Sequence, residues 1–385
     1  MRSMREVFSF QFSLTSVRCA FRPRGLTRLL DLDPENLNPQ AMRIVHAANL
    51  QLDKDGAHLW NQDQKIHHGL VRLGHFVYPF SINDRARMLS PTKSKTFGKK
   101  KANKALIETC RNVHPDMLIL GHAQYISAET LTDIRRILPK IRIGLWYVDP
   151  LWDQEDVAHL RDRTHLLDAL FCSTGGPLLE ALATKNCPAG FIPSAVDAGI
   201  ECHRAFETPE NEILHDLLFF GRDKGEPGRR AFLQELQAKL PDLRIGYYGC
   251  LDRPGIFGWE KEQIIRKSKM ALNLSRRTDV PLYSSSRIAE LMGNGILTLT
   301  PRGAGLEELY AENELVYFDT VDDLAEKAQH FSSHDNERIS LASSGWKRNH
   351  LDYSGTEIAR FIINLTCRDA AWKEAPWARH VYAPA

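Results

Sequence analysis

The sequence has no Cys-x-x-Cys pair. Its seven cysteines, Cys19, Cys110, Cys172, Cys187, Cys202, Cys250 and Cys367, are odd in number and scattered. Neither a disulfide scaffold nor a zinc site is expected from them, and a reducing cytoplasm fits. No window holds about eighteen continuous apolar residues, which argues against a membrane-spanning helix. Strong charge of either sign is also missing. The formal net charge is +2, too small for a dedicated nucleic-acid binder. No short-period repeat or low-complexity tract interrupts the chain. What is there is a 385-residue chain, 43% hydrophobic and 25% charged, an ordinary globular composition with length enough for two domains that each bury a core.

The stretch MRSMREVFSFQFSLTSVRCAFRPRG is basic and acid-poor, without the apolar centre and small-residue cleavage site of a secretory signal. It reads as part of a disordered extension over residues 1–41, with an organellar transit peptide as the alternative. The first buried strand is expected from Met42, in MRIVHAANL.

Beyond that point apolar runs alternate with helical stretches. RIVHAA, HFVYPF, MLILG, RIGLWYV, ALFCS and AGFIPS read as strands. ANKALIETCRNV and SAETLTDIRRIL read as helices between them. In the second, Ser127 is placed to cap, and Leu131, Ile134 and Leu138 keep a helical spacing. Apolar strands separated by such helices indicate βαβ units and a parallel sheet. A polar, turn-rich segment near residues 197–213 reads as a linker. The pattern then restarts with LLFFGR, RIGYYG, MALNLS, GILTLT and ELVYF. The expected organisation is α/β, with one domain over 42–205, a second over 206–345 and closing helices over 346–385.

A ligand in such a protein sits between domains, at the carboxyl ends of strands. Two segments have suitable chemistry there. In SSSRIAELMGNGILTLTPRGAGLEELY, Ser284, Ser285 or Ser286 can cap a helix. Arg287 and Glu290 share one face of it. After the next strand, Gly303, Ala304 and Gly305 lead into another expected helix, whose free amides suit an anion. A diphosphate at this turn, with Glu290 accepting from two ribose hydroxyls, fits the spacing. So does a surface Arg–Glu pair beside an ordinary turn. In FFGRDKGEPGRR, Arg222 and Lys224 follow a buried strand and can neutralise a leaving diphosphate. A solvated loop is the plainer alternative.

SSSRIAELMGNGILTLTPRGAGLEELY, ELVYFDTVDDLAEKAQHF and RNHLDYSGTEIARFI resemble the carboxyl-terminal domain of bacterial glycosyltransferases of the GT-B fold, group 1, and specifically the spore-maturation-protein, CgeB-like type. The resemblance runs more diffusely through ANKALIETCRNVHPDMLILGHAQYISAETLTDIRRILPKIRIGLWYVDP and LFCSTGGPLLEALATKNCPAGFIPSAVD, and covers Met42 to Phe361. It implies two Rossmann-like domains facing across a cleft, with the last helices crossing back to the first domain near Trp346 and Tyr353. It implies transfer of a sugar, hexosyl in kind, from a nucleotide-diphospho-sugar to a glycan, lipid-linked or protein acceptor. The resemblance further implies a place in cytoplasmic polysaccharide biosynthesis. By the same resemblance Glu290 would hold the ribose. Arg222 and Lys224 would lie near the diphosphate with the backbone of Gly303, Ala304 and Gly305, and Arg287 would line the same pocket. Many relatives carry two glutamates eight residues apart; here the second is Glu290 and the first is replaced by Leu282.

The first domain would then hold the acceptor. Asp149 ends a strand in LWYVDP and is a candidate base for an acceptor hydroxyl; an Asx turn before Pro150 explains it equally. His122, just past another strand, is a rival base or a structural histidine. Helix-terminus amides and basic side chains can replace a metal in this fold, so no cofactor and no obligatory metal is expected. The six lysines between Lys93 and Lys104 make either a solvated mobile loop or a surface for an anionic acceptor or a membrane; nucleic acid is not an expected partner. Two alternatives stay open: a nucleotide-sugar 2-epimerase on the same scaffold, and a non-catalytic nucleotide-binding interaction protein.

Overall fold

A computed structural model describes residues 41–383, Ala123 and Gly225 excepted. The expected extension over 1–41 lies, apart from Ala41, outside the described residues. The chain begins with β1 (Arg43–Ala48), α1 (Gln62–Arg72), β2 (Phe76–Ser81), α2 (Ile82–Met88) and α3 (Lys95–Val113). It continues through β3 (Met117–Gly121), α4 (Ala128–Ile137), β4 (Arg142–Tyr147), α5 (Gln154–Thr164), β5 (Ala169–Cys172), α6 (Pro177–Glu180) and β6 (Ala189–Phe191). A second series follows: β7 (His215–Phe220), α7 (Pro227–Lys239), β8 (Ile245–Tyr248), α8 (Gly258–Arg266), β9 (Ser268–Leu272) and α9 (Arg287–Gly293). Then come β10 (Leu297–Pro301), β11 (Val316–Phe318), α10 (Val321–Ser333), α11 (Asp335–Asp352), α12 (Gly355–Cys367) and β12 (Val381–Tyr382).

The strands form two sheets, ordered β12-β6-β5-β4-β3-β1-β2 and β11-β10-β9-β7-β8. All pairings are parallel except that of β12 with β6. The central strands are buried along nearly their whole length, as MLILG is in β3, because helices cover both faces of a parallel sheet. Each sheet reverses strand order beside its first strand: β1 has β2 on one side and β3 on the other, and β7 has β8 and β9. Ligands of doubly wound sheets bind outside such reversals. The architecture is therefore two Rossmann-like units.

Local signals set the helix starts. The Asn61 side chain accepts from the Asp63 amide at 2.7 Å to open α1. The Ser127 hydroxyl accepts from the Thr130 amide at 3.2 Å to open α4, as its spacing predicts. The expected boundary at 345/346 falls inside α11, which runs unbroken from the second unit to the crossing. At the crossing the Val196 amide donates to the Tyr353 carbonyl at 2.9 Å, and the Gly355 amide to the Val196 carbonyl at 2.7 Å. Helix α12 then packs on α1 and β4, and β12 closes the edge of the first sheet. Tyr353 is buried there, its hydroxyl donating to the Leu309 carbonyl at 2.6 Å. Trp346 packs on Phe206 and under Arg204, in the segment joining the sheets.

The lysine-rich segment is not a loop. Helix α3 starts at Lys95, and Lys95 and Lys99 lie 5.5 and 6.0 Å from the Tyr125 ring centre. Among the described residues no helix is long and apolar enough to cross a membrane.

Candidate functional site

Two cavities open where the strand ends of the two units meet. The larger, of about 850 Å³, lies at the ends of β7 and β8. Arg222, Lys224 and Arg253 bring positive charge to it, and Tyr248 and Phe257 bring aromatic surface, while His58 and Trp60 face it from the first unit. The loop after β7 is well braced. Arg229 donates to the Arg222 carbonyl at 2.7 Å, and the buried Asp223 carboxylate accepts from the Leu251 amide at 2.9 Å. Arg222 and Lys224 are left exposed at the cavity.

The smaller cavity, of about 260 Å³, lies at the ends of β4, β5 and β6. Asp149, Trp146, Ser173 and Ser194 line it from the first unit; Arg276, Tyr283 and Ser284–Ser286 line it from the second. The Nε2 atom of His122 lies 2.9 Å from Oδ2 of Asp149. Gln124 donates to the same oxygen at 3.3 Å. The His122 ring stacks on Tyr147 with centres 5.0 Å apart. Its backbone is held at φ 48°, a left-handed conformation uncommon for residues other than glycine. The two rival bases read from the sequence are thus one contact pair.

The other expected donor contacts are placed differently. Arg287 is half-buried beneath the β7 turn and lines neither cavity. Its Nε donates to the Phe220 carbonyl at 2.7 Å, and its guanidinium lies over the Phe219 and Phe220 rings. A Cβ on Gly221 would lie 2.6 Å from its Nη2, so glycine at this strand end is what admits the arginine. Burial lowers the Arg287 pKa to about 10, with Glu290 opposing the shift. The Glu290 carboxylate is itself buried and ion-paired with Lys261 of α8. It lines only a void of about 10 Å³ shared with Trp60, Glu201 and Lys261. The exposed Arg–Glu pair allowed by the spacing is therefore not formed: both side chains turn inward to separate partners.

Gly303, Ala304 and Gly305 line neither cavity. Gly303, at φ 109°, is held against the Thr278 carbonyl, 2.7 Å from where a Cβ would stand. The Ala304 carbonyl accepts from the Leu282 amide at 2.6 Å. The helix expected after Gly305 is one 3-10 turn, Leu306–Glu308, too short to sum a useful dipole at its start. Leu282, where the family resemblance would place the first glutamate, is buried and left-handed at φ 58°. It packs onto the loop after β5, where a Cβ on Gly175 would lie 2.7 Å from its Cδ1. The Gly175 amide donates to the Pro281 carbonyl at 2.9 Å. This position joins the two units.

Three residues near the cavities escape a reading of the sequence. Lys261 forms part of the large cavity wall, 3.8 Å from the Trp60 ring centre. A signal existed: Lys261 sits where an apolar residue belongs in the spacing with Ile264 and Ile265. Burial depresses its pKa against the pull of Glu290. Asp63 is buried in α1, and burial pushes its carboxyl up to about 7 against the pull of His122. Glu201, in the segment joining the sheets, pairs with Lys65 at 2.5 Å. Burial still raises its carboxyl to about 7. Neither carboxylate carries a sequence signal of its depth.

Residues 227–364 match a family model described as glycosyl transferase-like. No curated protein sequence matches the chain. The fold is similar to that of sucrose-phosphate synthase from Thermosynechococcus elongatus, with a TM-score of 0.59 at 12% identity over 85% of this chain and 98% of that one. It is similar to a glycosyltransferase from Rickettsia africae, with a TM-score of 0.52 at 11% identity over 86% and 99% of the two chains. The N-terminal domain of trehalose-6-phosphate phosphatase from Candida albicans gives 0.52 at 12% identity over 84% and 96%. These likenesses establish the two-unit GT-B fold, and the family match over the second unit adds support for a glycosyltransferase.

Proposed function

We propose that the protein transfers a sugar from a nucleotide-diphospho-sugar to an acceptor hydroxyl, as a metal-independent hexosyltransferase of the CgeB-like type. The observation that carries this reading is the pair of cavities at facing strand ends, one cationic and aromatic, the other lined by Asp149, whose carboxylate pairs with His122. The diphosphate meets Arg222, Lys224 and Arg253, and the nucleotide base stacks on the aromatic wall formed by Tyr248 and Phe257. The acceptor enters the smaller cavity. As the bond from the sugar's anomeric carbon to the diphosphate breaks, the acceptor oxygen bonds to that carbon. The acceptor's proton passes to the Asp149–His122 pair, and the cations stabilise the charge left on the diphosphate. Ribose recognition by Glu290 requires the nucleotide to displace Lys261 from it. The exposed lysines of α3 make a docking face for an anionic, lipid-linked acceptor. Co-sedimentation with anionic vesicles that salt does not weaken would count against that face.

The test is thermal stability with UDP, GDP, dTDP, CDP and ADP, on the wild type and on a variant carrying Arg222→Ala and Lys224→Ala. A nucleotide at about a hundred times its dissociation constant adds roughly 2.7 kcal/mol of stability. The expected result is a shift with one nucleotide that the variant loses. No shift with any of them at saturating concentration would refute the donor site. Donor turnover without acceptor, giving an epimeric sugar nucleotide, would favour the 2-epimerase. Binding without any turnover would favour an interaction protein.

A further inference from the structure

We propose that Cys202, His203 and Glu262 form a zinc site that clips the segment joining the two sheets to helix α8. The thiol sulfur, an imidazole nitrogen and a carboxylate oxygen of these residues lie within 4.8 Å of one another. Cys202 and His203 belong to the chain between β6 and β7, and Glu262 to α8. The absence of Cys-x-x-Cys pairs hides such a site from the sequence, because its third ligand comes from a different element.

The geometry within the cluster is unusual for three side chains that merely happen to be near. His203 Nε2 is buried and has no hydrogen-bond partner. Its nearest acidic atom, Glu262 Oε2, is 3.6 Å away, too far for a normal hydrogen bond. Burying an unsatisfied ring nitrogen beside a carboxylate is costly. The same separation suits two ligands of one ion. A tetrahedral zinc with bonds of about 2.0–2.3 Å places neighbouring donor atoms roughly 3.3–3.8 Å apart. One thiolate, one imidazole and one carboxylate, with water as fourth ligand, is a zinc-type donor set. Magnesium and calcium require oxygen donors throughout.

The surroundings are arranged for the role. Cys202 is exposed, whereas Cys110, Cys172, Cys187 and Cys250 are buried. An ion therefore has a path to this thiol. The His203 amide donates to the Asn294 side chain at 3.3 Å, tying the segment to the end of α9. Trp259, on the first turn of α8, has its ring centre 6.0 Å from that of His203. Two of the three protein ligands also neighbour a buried ion pair: Cys202 follows Glu201, and Glu262 follows Lys261. An ion bonded to both elements fixes the joining segment against the helix that presents Lys261 to the large cavity.

The site is tested on the full chain, stripped with a chelator and titrated with cobalt(II) in the absence of nucleotide. The expected result is one cobalt per chain, with a thiolate-to-cobalt charge-transfer band in the near ultraviolet and the visible bands of a tetrahedral ion. Zinc should displace the cobalt and magnesium should not. Cys202→Ser should abolish the charge-transfer band, and Glu262→Gln should weaken binding by at least about tenfold. Cys202 is exposed, so its serine variant should keep the wild-type circular dichroism, which separates ligand loss from unfolding. No thiolate band, or a band that survives Cys202→Ser, would overturn the proposal. So would equal zinc affinity in the wild type and both variants. Trp259 fluorescence gives a second readout: a zinc-dependent change is expected in the wild type and not in Cys202→Ser. None of these readouts depends on a sugar donor.

Discussion

Lys261 closes over Glu290: the ammonium of α8 and the carboxylate of α9 form a buried ion pair between the large cavity and the core of the second unit. Removing one partner strands the other. Lys261→Met should cost about 3–5 kcal/mol, because a buried carboxylate loses its counter-charge. The double variant Lys261→Met, Glu290→Gln should recover much of that loss. Urea unfolding of the four proteins in the cycle measures the coupling; additive costs would mean that the two charges do not depend on each other.

Asp149→Asn should leave nucleotide affinity unchanged and lower sugar transfer by about 10²–10⁴-fold, the usual reach of a positioned base. The amide cannot take a proton from an acceptor. Nucleotide release with acceptor present, set against nucleotide binding, separates the two effects. Undiminished turnover would remove Asp149 from the chemistry and leave it as a turn residue before Pro150.

Leu282 should behave as a joint. Leu282→Ala should cost about 2–4 kcal/mol by emptying the contact with the loop at Gly175. Leu282→Glu introduces the acidic residue that the family resemblance would place here, yet should be at least as damaging, since it buries a charge without a partner. A chemical-denaturation midpoint and a nucleotide titration check both variants. Tighter nucleotide binding by the glutamate would show that the position still reaches the sugar.

The Asp63 carboxyl, raised from 3.8 to about 7 by burial, gives a pH dependence of known sign. Below the lower value both folded and unfolded chains hold the proton, and the group costs no extra stability. As pH rises through the window from about 3.8 to about 7, the unfolded chain ionises and the folded chain does not. Stability from this group is therefore lost with rising pH. Asp63→Asn should gain on the wild type across that window by about 4 kcal/mol. Unfolding midpoints of both proteins at each end of the window measure the gain; a constant difference would mean that the group ionises freely when folded.

Much of this molecule is written plainly in its sequence, because buried parallel strands must be apolar along their length. MLILG and RIGLWYV can hardly be anything else, and the placement of Arg222, Lys224 and Asp149 beside cavities follows from their standing at strand ends. Reading fails where a side chain chooses its partner across the fold. Arg287 and Glu290 are helical neighbours that turn to Phe220 and Lys261. Nothing local to Leu282 tells that it must meet Gly175. The two residues of β12 are too few for any periodicity, and exist as a strand only because β6 leaves an edge. The glycines at 303 and 305 suggested an open phosphate turn, but glycine also serves where backbone meets backbone, as at the Thr278 carbonyl.

The return of α12 and β12 to the first sheet has a consequence for how the chain is made. In order of synthesis the second unit is an insert: its strands β7–β11 emerge whole, while the first unit still lacks the helix that covers α1 and the strand that seals β6. Contacts of such long sequence separation form late and slowly. On a ribosome, the second unit can therefore be finished before the unit that precedes it. The earlier half must wait, with its α1 face and sheet edge uncovered, for the last residues to arrive.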